Sequence, residues 1–591
     1  MKVDKIAWLV GAMLSLVLLA ASCATPVTTT APSTLTTTAA TSKPSPTGAA
    51  TTKPSGLPQY GGSYTGLGGD PMGWDEAYVT YTNVTGIDRT NETLLQNDWA
   101  IGPAGTTQTS WTKGALGRTD LWTGGLAESF ELPDSETIIF HIRPGIRWQN
   151  IPPVNGREFV AEDARFSLER VFTSAGSYQY QSYSAAERPK SYKVLDKYTL
   201  EVKVPSASQG IMLITCAAVT RIYPPEMIKQ YGDMKDWKRT CGTGAFMISD
   251  YVPSSSLTYV RNPNYWGKDP VGPGKGNQLP YIDGIKALII SDLSTQMAAL
   301  RTGKIDIIGD TLTGGVLWED GEQLKKTTPM KYSMYPANLR ILWGRMDKAE
   351  LPFKDLRVRQ ALNMAVNKQA IVDQFYGGNT QLFSCPWPTT PDYKDIFTPF
   401  DQQPQEVKDL FTYNPEKAKK LLADAGYPNG FKTNCITTKD DVDFLSIIRE
   451  DFLKIGVDME LKQLENTVYM NVRRSRSHEQ MIFADLPITQ PFKLNSFRIE
   501  TNDCQAYYEN AAVRAAYNEA NTYLGRDNAK FNKAIKDITP VILKDAVGVW
   551  LPVTNKYIMW WPWVQNYHGE SLGIHVKYIW IDQELKKSLT R

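Results

Sequence analysis

The stretch that decides the fold reads Thr137-Ile138-Ile139-Phe140-His141-Ile142-Arg143-Pro144-Gly145. In an extended chain Ile138, Phe140 and Ile142 lie on one face, so that face is buried and the other is wet. Pro144 and Gly145 then turn the chain away. The stretch therefore predicts a β-strand that packs one face on a core.

Other stretches add strands and helices. Residues 197–204 alternate strictly between apolar and polar side chains, which predicts a second strand. Asn414, followed by Pro415 and an acidic residue, predicts the start of a helix, because Asn caps it and Pro fits its first turn. A further helix is expected from Asp355, and Asn367 is expected to cap the next one. The chain is therefore predicted to be mixed α/β.

The composition fits a folded protein and excludes some functions. The chain has 591 residues, of which 42% are hydrophobic and 11% aromatic, enough to fill the cores of several domains. Its 64 Lys and Arg are balanced by 62 Asp and Glu, so a net charge of +2 gives no concentrated basic surface for nucleic acid. The four histidines are scattered, which argues against a histidine metal site.

The N-terminus carries an export signal. Lys2 and Lys5 precede an apolar run over 6–21, a layout typical of a secretory signal. Cys23 follows three small residues and resembles the lipobox of bacterial lipoproteins. We therefore expect 1–23 to be a signal peptide that ends at a lipidated Cys23. The alternative is a short transmembrane anchor, for which the run is marginal in length.

A low-complexity segment follows over 24–57. Of the residues 24–56, 27 of 33 are Thr, Ser, Pro or Ala, and none is aromatic or acidic, so no core can form there. Such a segment is predicted to be a disordered tether, which spans about 30 Å as a flexible coil and about 100 Å when extended. We expect it to hold the folded body off a membrane surface.

Export also permits disulfides, so the remaining cysteines matter. They are Cys216, Cys241, Cys385, Cys435 and Cys504. Their number is odd, no pair forms C-x-x-C and the spacing fits no zinc site. Two interpretations stay open: a bridge between Cys216 and Cys241, or buried reduced thiols.

Several blocks of sequence, in a fixed order, resemble one protein family. The blocks are 127–130, 140–148, 159–170, 242–246, 261–266, 299–306, 352–362, 414–426 and 455–457. They resemble the signature of the family 5 extracellular solute-binding proteins, the receptors of peptide and nickel ABC importers. The resemblance covers essentially the whole chain after the tether.

The resemblance implies an α/β, two-lobed periplasmic-binding-protein-like fold (class II, Venus-flytrap) with an extra domain inserted in lobe I. The expected ranges are 58–100, 214–335 and 548–591 for lobe I, 101–213 for the inserted domain and 336–547 for lobe II. It also implies a monomeric receptor without catalysis or cofactor, anchored by lipid at the outer face of the cytoplasmic membrane. The receptor would pass a peptide or similar small organic solute to an ABC permease and its ATPase subunits.

Candidate ligand contacts come from the cleft segments of the family. The chain is rich in aromatic residues, with 16 Trp, 29 Tyr and 19 Phe, and aromatic walls bury ligand area with little loss of rotamer freedom. The resemblance points to Trp343, Trp387 and Trp550. Trp111 and the loop 483–491 are further candidates.

One departure from the family concerns the ligand class. Peptide-binding relatives carry an Asp in the lobe II loop that pairs with the α-amino group of the peptide, and Ile488 occupies that position here. Either Asp485 takes the role or the ligand has no free amine. Nickel is not expected, because the chain has no histidine cluster.

The alternative function is that of a lipid-anchored serine hydrolase. Residues 569–573 have the form G-x-S-x-G, which would make Ser571 the nucleophile. The one later histidine is His575, four residues on, which is too close for a catalytic triad. The sequence therefore favours a non-catalytic receptor.

Overall fold

The patterned stretches of the sequence become the strands and helices of two lobes. A computed structural model describes residues 56–79, 86–112, 118–309, 315–337, 339–486, 494, 496–570 and 572–590. The strands are β1 (Ser63–Gly68), β2 (Leu95–Asn97), β3 (Trp122–Gly124), β4 (Ala127–Glu131), β5 (Thr137–Ile142), β6 (Ser191–Asp196), β7 (Thr199–Lys203), β8 (Phe246–Val252), β9 (Ser256–Arg261), β10 (Gly284–Ile289), β11 (Ile307–Ile308), β12 (Lys331–Pro336), β13 (Leu339–Gly344), β14 (Thr380–Gln381), β15 (Phe431–Thr437), β16 (Val457–Gln463), β17 (Met481–Leu486), β18 (Val549–Trp550), β19 (Val553–Trp560), β20 (Val564–Gln565) and β21 (Trp580–Ile581).

Helices cover the sheets and connect their strands. They are α1 (Ala161–Thr173), α2 (Tyr178–Ser182), α3 (Gln209–Ile214), α4 (Pro225–Tyr231), α5 (Leu293–Arg301), α6 (Trp318–Thr327), α7 (Leu356–Ala365), α8 (Lys368–Ala370), α9 (Gln405–Phe411), α10 (Pro415–Asp424), α11 (Val442–Leu453), α12 (Asn466–Ser475), α13 (Ala511–Tyr523), α14 (Asn528–Lys544), α15 (Leu572–His575) and α16 (Gln583–Leu589).

The strands predicted from alternating side chains are confirmed. β5 occupies the first stretch, and its residues Ile138, Phe140 and Ile142 are buried. β7 lies within the predicted 197–204 and pairs antiparallel with β5. Both strands belong to the four-stranded sheet β4-β5-β7-β6, whose inner face packs on helix α1.

The predicted helix starts are confirmed as well. The side chain of Asn414 accepts a hydrogen bond from Lys417 N at 2.9 Å, and α10 begins at the following proline. Asp355 caps α7 in the same manner, and Asn367 accepts a hydrogen bond from Ala370 N at 3.0 Å at the start of α8. Each cap satisfies a backbone N–H that has no partner within its own helix.

The protein has two lobes, each with its own hydrophobic core. Lobe I contains the sheets β1-β10-β9-β8 and β11-β19-β12, and its core continues into the sheet β4-β5-β7-β6. Lobe II contains the five-stranded sheet β16-β15-β17-β13-β18 and a separate core. Trp122 and Ile211 pack against both cores. The predicted domain boundaries stay predictions.

The chain passes between the lobes through neighbouring strands. β12 of lobe I leads into β13 of lobe II, and β18 of lobe II leads back into β19 of lobe I. The short strand β14 adds a third link, because it pairs antiparallel with β19. The hinge is therefore a narrow, strand-built connection at one end of the lobe II sheet.

The five cysteines of the folded body are buried and free. Cys216 and Cys241 are not bonded to each other, so the interpretation as buried thiols holds and the bridge does not. Burial raises the pKa of the Cys241 thiol to about 12, which keeps it protonated and unreactive at neutral pH. The predicted signal peptide with Cys23, and the predicted tether up to residue 55, lie outside the described residues. Among the helices described, none is long and apolar enough to cross a membrane.

Candidate functional site

The candidate site lies at one edge of the lobe II sheet. Strands β15, β16 and β17 run parallel, so their carboxyl ends meet at this edge. β13 runs antiparallel to β17 and begins there, next to the hinge. In open α/β sheets, ligands bind outside the carboxyl ends of the strands. The charges of Asp485 and Arg340 at this edge act on Lys556 of β19 in lobe I.

A three-membered charge cluster occupies the edge. Arg340 in β13 lies directly opposite Asp485 in β17, and its Nε donates to Asp485 Oδ1 at 3.1 Å. The same guanidinium donates through Nη1 to Asp441 Oδ1, from the turn that follows β15. Its Cζ lies 4.3 Å from the centre of the Phe483 ring. One cation thus holds two carboxylates, one on each side.

Its two carboxylate neighbours keep Arg340 in the charged form. Burial alone lowers the pKa of Arg340, but the hydrogen bond to Asp441 and the charges of Asp485 and Asp441 reverse this, and the pKa is raised. The backbone around the cluster is held too. Arg473 Nη2 donates to the carbonyl oxygen of Asp485 at 2.7 Å, and Tyr469 Oη donates to the carbonyl of Phe483 at 2.6 Å.

Lobe I contributes Lys556 from the hinge strand β19. This side chain is half-buried. Burial lowers the pKa of Lys556, the charge of Asp485 acts against that shift and the charge of Arg340 adds to it. Within the part of the chain that the structure describes, its ammonium makes no hydrogen bond and no ion pair. Lys556 is therefore a cation without a close partner, facing the charge cluster of lobe II.

A row of aromatic side chains packs beside the cluster and continues into the lobe II core. The ring centre of Phe444 lies 6.0 Å from that of Tyr376 and 5.7 Å from that of Phe483. Burial raises the pKa of Tyr376, so it stays protonated. Its hydroxyl has no hydrogen-bond partner among the described residues. Phe444 and Phe483 are buried, whereas Tyr376 is partly exposed. The edge thus offers a cation, a hydroxyl and one aromatic ring, which suits noncovalent recognition of a small solute.

A second feature joins the lobes away from the hinge. Asp392 of lobe II is 4% exposed, and its carboxylate accepts hydrogen bonds from Ser110 N at 3.2 Å, from Ser110 Oγ at 2.9 Å and from Thr109 Oγ1. Arg118 Nη1 donates to the carbonyl oxygen of Asp392 at 2.8 Å. Arg118 also lies 3.7 Å from the carboxylate of Asp395. We call these contacts the interlobe clasp.

A family model settles what kind of protein this is. The model of the bacterial extracellular solute-binding proteins, family 5 Middle, matches residues 122–497, which is more than half of the chain. The chain belongs to family 5 of the bacterial extracellular solute-binding proteins. The family resemblance inferred from the sequence is thereby confirmed.

Several relatives of this family 5 protein are known by name. The chain is 30% identical over 369 residues to heme-binding protein A of Haemophilus influenzae, a match that covers 58% of this chain and 61% of that protein. It is 24% identical over 486 residues to the periplasmic oligopeptide-binding protein OppA of Salmonella typhimurium, covering 77% of this chain and 84% of OppA.

A solved structure supports the fold of this family 5 protein. The periplasmic binding protein DppA of Helicobacter pylori, in complex with the peptide STSA, superposes with a TM-score of 0.65 at 23% identity. The superposition covers 89% of this chain and 99% of DppA. At this identity the likeness concerns the fold alone, and it confirms the two-lobed α/β architecture.

The tryptophans predicted to contact ligand in this family 5 protein are buried in lobe II. Trp343, Trp387 and Trp550 are at most 2% exposed. Trp387 Nε1 donates to Thr539 Oγ1 at 2.8 Å, and Trp550 Nε1 donates to the carbonyl oxygen of Leu543 at 3.3 Å. All three belong to the lobe II core, and their role as ligand contacts stays a prediction.

The other predicted site residues are spread over the family 5 fold. Trp111 is buried, donates through Nε1 to the carbonyl oxygen of Asp98 at 2.9 Å and lies beside the interlobe clasp. Asp485 is part of the charge cluster. Ile488 lies outside the described residues, so its place in the family loop stays a prediction.

Arg340, Tyr376 and Lys556 were missed from the sequence. Arg340 interrupts a strand that is otherwise apolar, and a charged residue in such a strand is a signal for a site. Lys556 follows Thr554 and Asn555 in a polar part of β19, so its strand gave no such signal. Tyr376 carried no signal, because the position of its ring depends on packing against lobe II. No group of His, Cys, Asp and Glu suited to a metal ion occurs among the described residues.

In the G-x-S-x-G segment of the family 5 protein, Gly569 and Glu570 are buried. Ser571 lies outside the described residues. Glu570 is fully buried, burial raises its pKa to about 8, and its Oε2 accepts a hydrogen bond from His568 N at 2.8 Å. The ring of His575 packs among aromatic rings, 5.2 Å from that of Trp99.

A cavity inside lobe I is a weaker candidate. Its volume is about 120 Å³, well below the few hundred Å³ of typical ligand sites. Several of the charged side chains that line it are bonded to one another or to a neighbouring tyrosine. Arg221 pairs with Asp88 at 2.7 Å, and Lys577 Nζ donates to Tyr265 Oη at 3.0 Å, which in turn donates to Glu92 at 2.9 Å. The cavity has no wall from lobe II.

Proposed function

We propose that this protein is the receptor of an ABC importer and that it captures a peptide or similar small organic solute between its lobes. Membership in the solute-binding family and the printed names of relatives, among them a di/tripeptide-binding protein of Pseudomonas aeruginosa, support this proposal. The receptor hands its solute to a permease with ATPase subunits. It acts as a monomer and without chemistry.

The observation that carries the proposal is the unpartnered Lys556 of lobe I opposite the charge cluster of lobe II. A solute bound at this edge contacts both lobes at once. Closure about the hinge then brings Lys556 and the lobe II edge toward the same solute. Because such a solute binds the closed form better than the open form, it shifts the population toward closure.

The proposed location follows from the N-terminus. A lipid at Cys23 and the tether over 24–57 keep the receptor at the outer face of the cytoplasmic membrane. More than one acyl chain makes such an anchor stable, at about 0.8 kcal/mol for each buried CH₂ group. The permease then meets the receptor at high local concentration.

Two measurements on the full chain test the proposed function. Native mass spectrometry of the purified protein, followed by mild denaturation, should release a small solute that the folded protein had retained. Small-angle scattering should then show a smaller radius of gyration when that solute is added back. A protein that carries no solute and keeps one scattering profile with every peptide offered would refute the proposal. Hydrolysis of generic esters that Ser571→Ala abolishes would favour the hydrolase instead.

A further inference from the structure

The cations at the candidate site are not equally engaged. Arg340 is shared between two carboxylates, and Arg473 donates to the carbonyl oxygen of Asp485. Lys556 is left over, since within the described ranges its ammonium has neither a hydrogen-bond partner nor a carboxylate within 4.0 Å. Buried cations are costly unless they are paired. The ammonium of Lys556 is therefore the positive charge of the site that a ligand can pair with.

The local structure directs Lys556 away from the packed face of its sheet. Its neighbour Tyr557 points toward α6, where its hydroxyl hydrogen bonds Glu322. Successive residues of a strand point to opposite faces, so Lys556 projects from the other face. A β-carbon at Gly315 would come within 2.4 Å of Lys556 Cβ, so glycine leaves room for this side chain. Asp485 and Arg340 are the charges that act on its ammonium.

The carboxylates nearby are already occupied. Asp441 is 5% exposed in its side chain and bonded to Arg340, and it also accepts from Thr438 Oγ1 at 3.0 Å. Asp485 takes the Nε of the same arginine. An incoming ammonium group would have to displace Arg340, whereas an incoming anion finds Lys556 without a competitor. The charge pattern thus favours an anion.

On the basis of the proposed function, we infer that the solute carries a carboxylate group and that this group binds the ammonium of Lys556. The hydroxyl of Tyr376 lies within electrostatic range of Arg340 and Asp441 and has no hydrogen-bond partner among the described residues. It suits a second oxygen of the same group or a neighbouring amide. The partly exposed ring of Tyr376 takes an apolar part of the solute. The amine end, if present, is not anchored by this edge.

The decisive experiment compares matched ligands that differ in one charge. Pools of tripeptides, with free and with acetylated N-termini, are made with either a C-terminal carboxylate or a C-terminal carboxamide. Binding to the purified full chain is measured by native mass spectrometry. We expect the carboxylate forms to bind about 10- to 150-fold more tightly, the range for a hydrogen bond to a charged group.

Variants assign the preference to one residue. Lys556→Met, which keeps the length and removes the charge, should abolish the preference for the carboxylate, and Lys556→Arg should retain most of it. Lys331→Met is the matched control, because Lys331 is an exposed lysine of the neighbouring strand β12. It should bind both forms as the unaltered protein does. If Lys556→Met does not fold, the comparison of carboxylate with carboxamide ligands on the unaltered protein and on Lys556→Arg still tests the inference.

The possible results separate the carboxylate inference from the proposed receptor function. Equal binding of carboxylate and carboxamide, or a preference that survives Lys556→Met, would overturn the inference while peptide binding itself upholds the proposed function. If no pool binds but a solute copurifies, an anionic group in that solute supports the inference and its absence overturns it. If no pool binds and nothing copurifies, the proposed function fails and the inference fails with it.

Discussion

Removal of one carboxylate in the interlobe clasp should loosen the closed form. Asp392 accepts three hydrogen bonds from Thr109 and Ser110 of the other lobe. Asp392→Asn keeps the shape but loses the charge and one acceptor. A hydrogen bond to a charged group contributes about 1.5–3 kcal/mol, so we expect the clasp to lose about 2–3 kcal/mol. This corresponds to a change of about 30- to 150-fold in the ratio of closed to open protein.

Two measurements would register that change. If the solute-free protein is mostly closed, small-angle scattering of Asp392→Asn should show a larger radius of gyration. If it is mostly open, the radius stays but the affinity for the copurified solute falls by the same factor, because binding is coupled to closure. Isothermal titration calorimetry measures this second effect. Ser110→Ala weakens the same contact from the other lobe and should act in the same direction.

The control variant is Asp395→Asn. Its carboxylate is half exposed and lies 3.7 Å from Arg118, so its loss should cost less than about 1 kcal/mol. Circular dichroism must show that all variants are folded. The reasoning is refuted if Asp392→Asn, once folded, matches Asp395→Asn in both its radius of gyration and its affinity. The clasp would then be a contact without influence on closure.

Three further predictions concern the anchor, the amine and a buried acid. Cys23→Ala should release the protein from membranes, and variant protein that still sediments after a carbonate wash would contradict the lipid anchor. Because Arg340 engages Asp485, N-acetylated peptides should bind at least as tightly as peptides with a free N-terminus when affinities are measured by calorimetry. A preference for the free amine that Asp485→Asn abolishes would contradict this and would make Asp485 the amine anchor. Glu570 has a folded-state pKa of about 8, above its ordinary 4.5, so proton binding stabilises the fold fully below pH 4.5 and this stabilisation is lost as the pH rises through 8. Glu570→Gln should therefore flatten the fall of the melting temperature between pH 5 and 8, and an unchanged slope would count against the buried acid.

Local structure was predictable from short patterns. The alternation around Phe140 and the cap at Asn414 each act within a few residues, and both predictions are confirmed. The family was predictable for a related reason, since its blocks keep a fixed order along the chain. The thiols of Cys216 and Cys241 could not be assigned, because pairing depends on distances that the sequence does not contain.

The site was less predictable than the fold. Arg340, Asp441 and Asp485 come together only through the register of β13 against β17 and the turn after β15. Lys556 reaches them from the other lobe. The sequence prediction instead assigned ligand contacts to tryptophans, but large aromatic side chains occur in hydrophobic cores as readily as in binding clefts. Composition alone does not separate these two uses.

The position of β19 sets an order of folding. This strand lies between β11 and β12 in its sheet, yet it is separated from β12 in sequence by the whole of lobe II. Lobe I therefore lacks a central strand until the last part of the chain has been made. The loop between β12 and β19, which contains lobe II, must close before β19 can form its hydrogen bonds to β11 and β12. Lobe II, whose sheet needs only the two residues of β18 from the same late segment, can collapse earlier. The lobe that is begun first is thus completed last, and its unpaired β11 and β12 are the edges that a chaperone would need to protect.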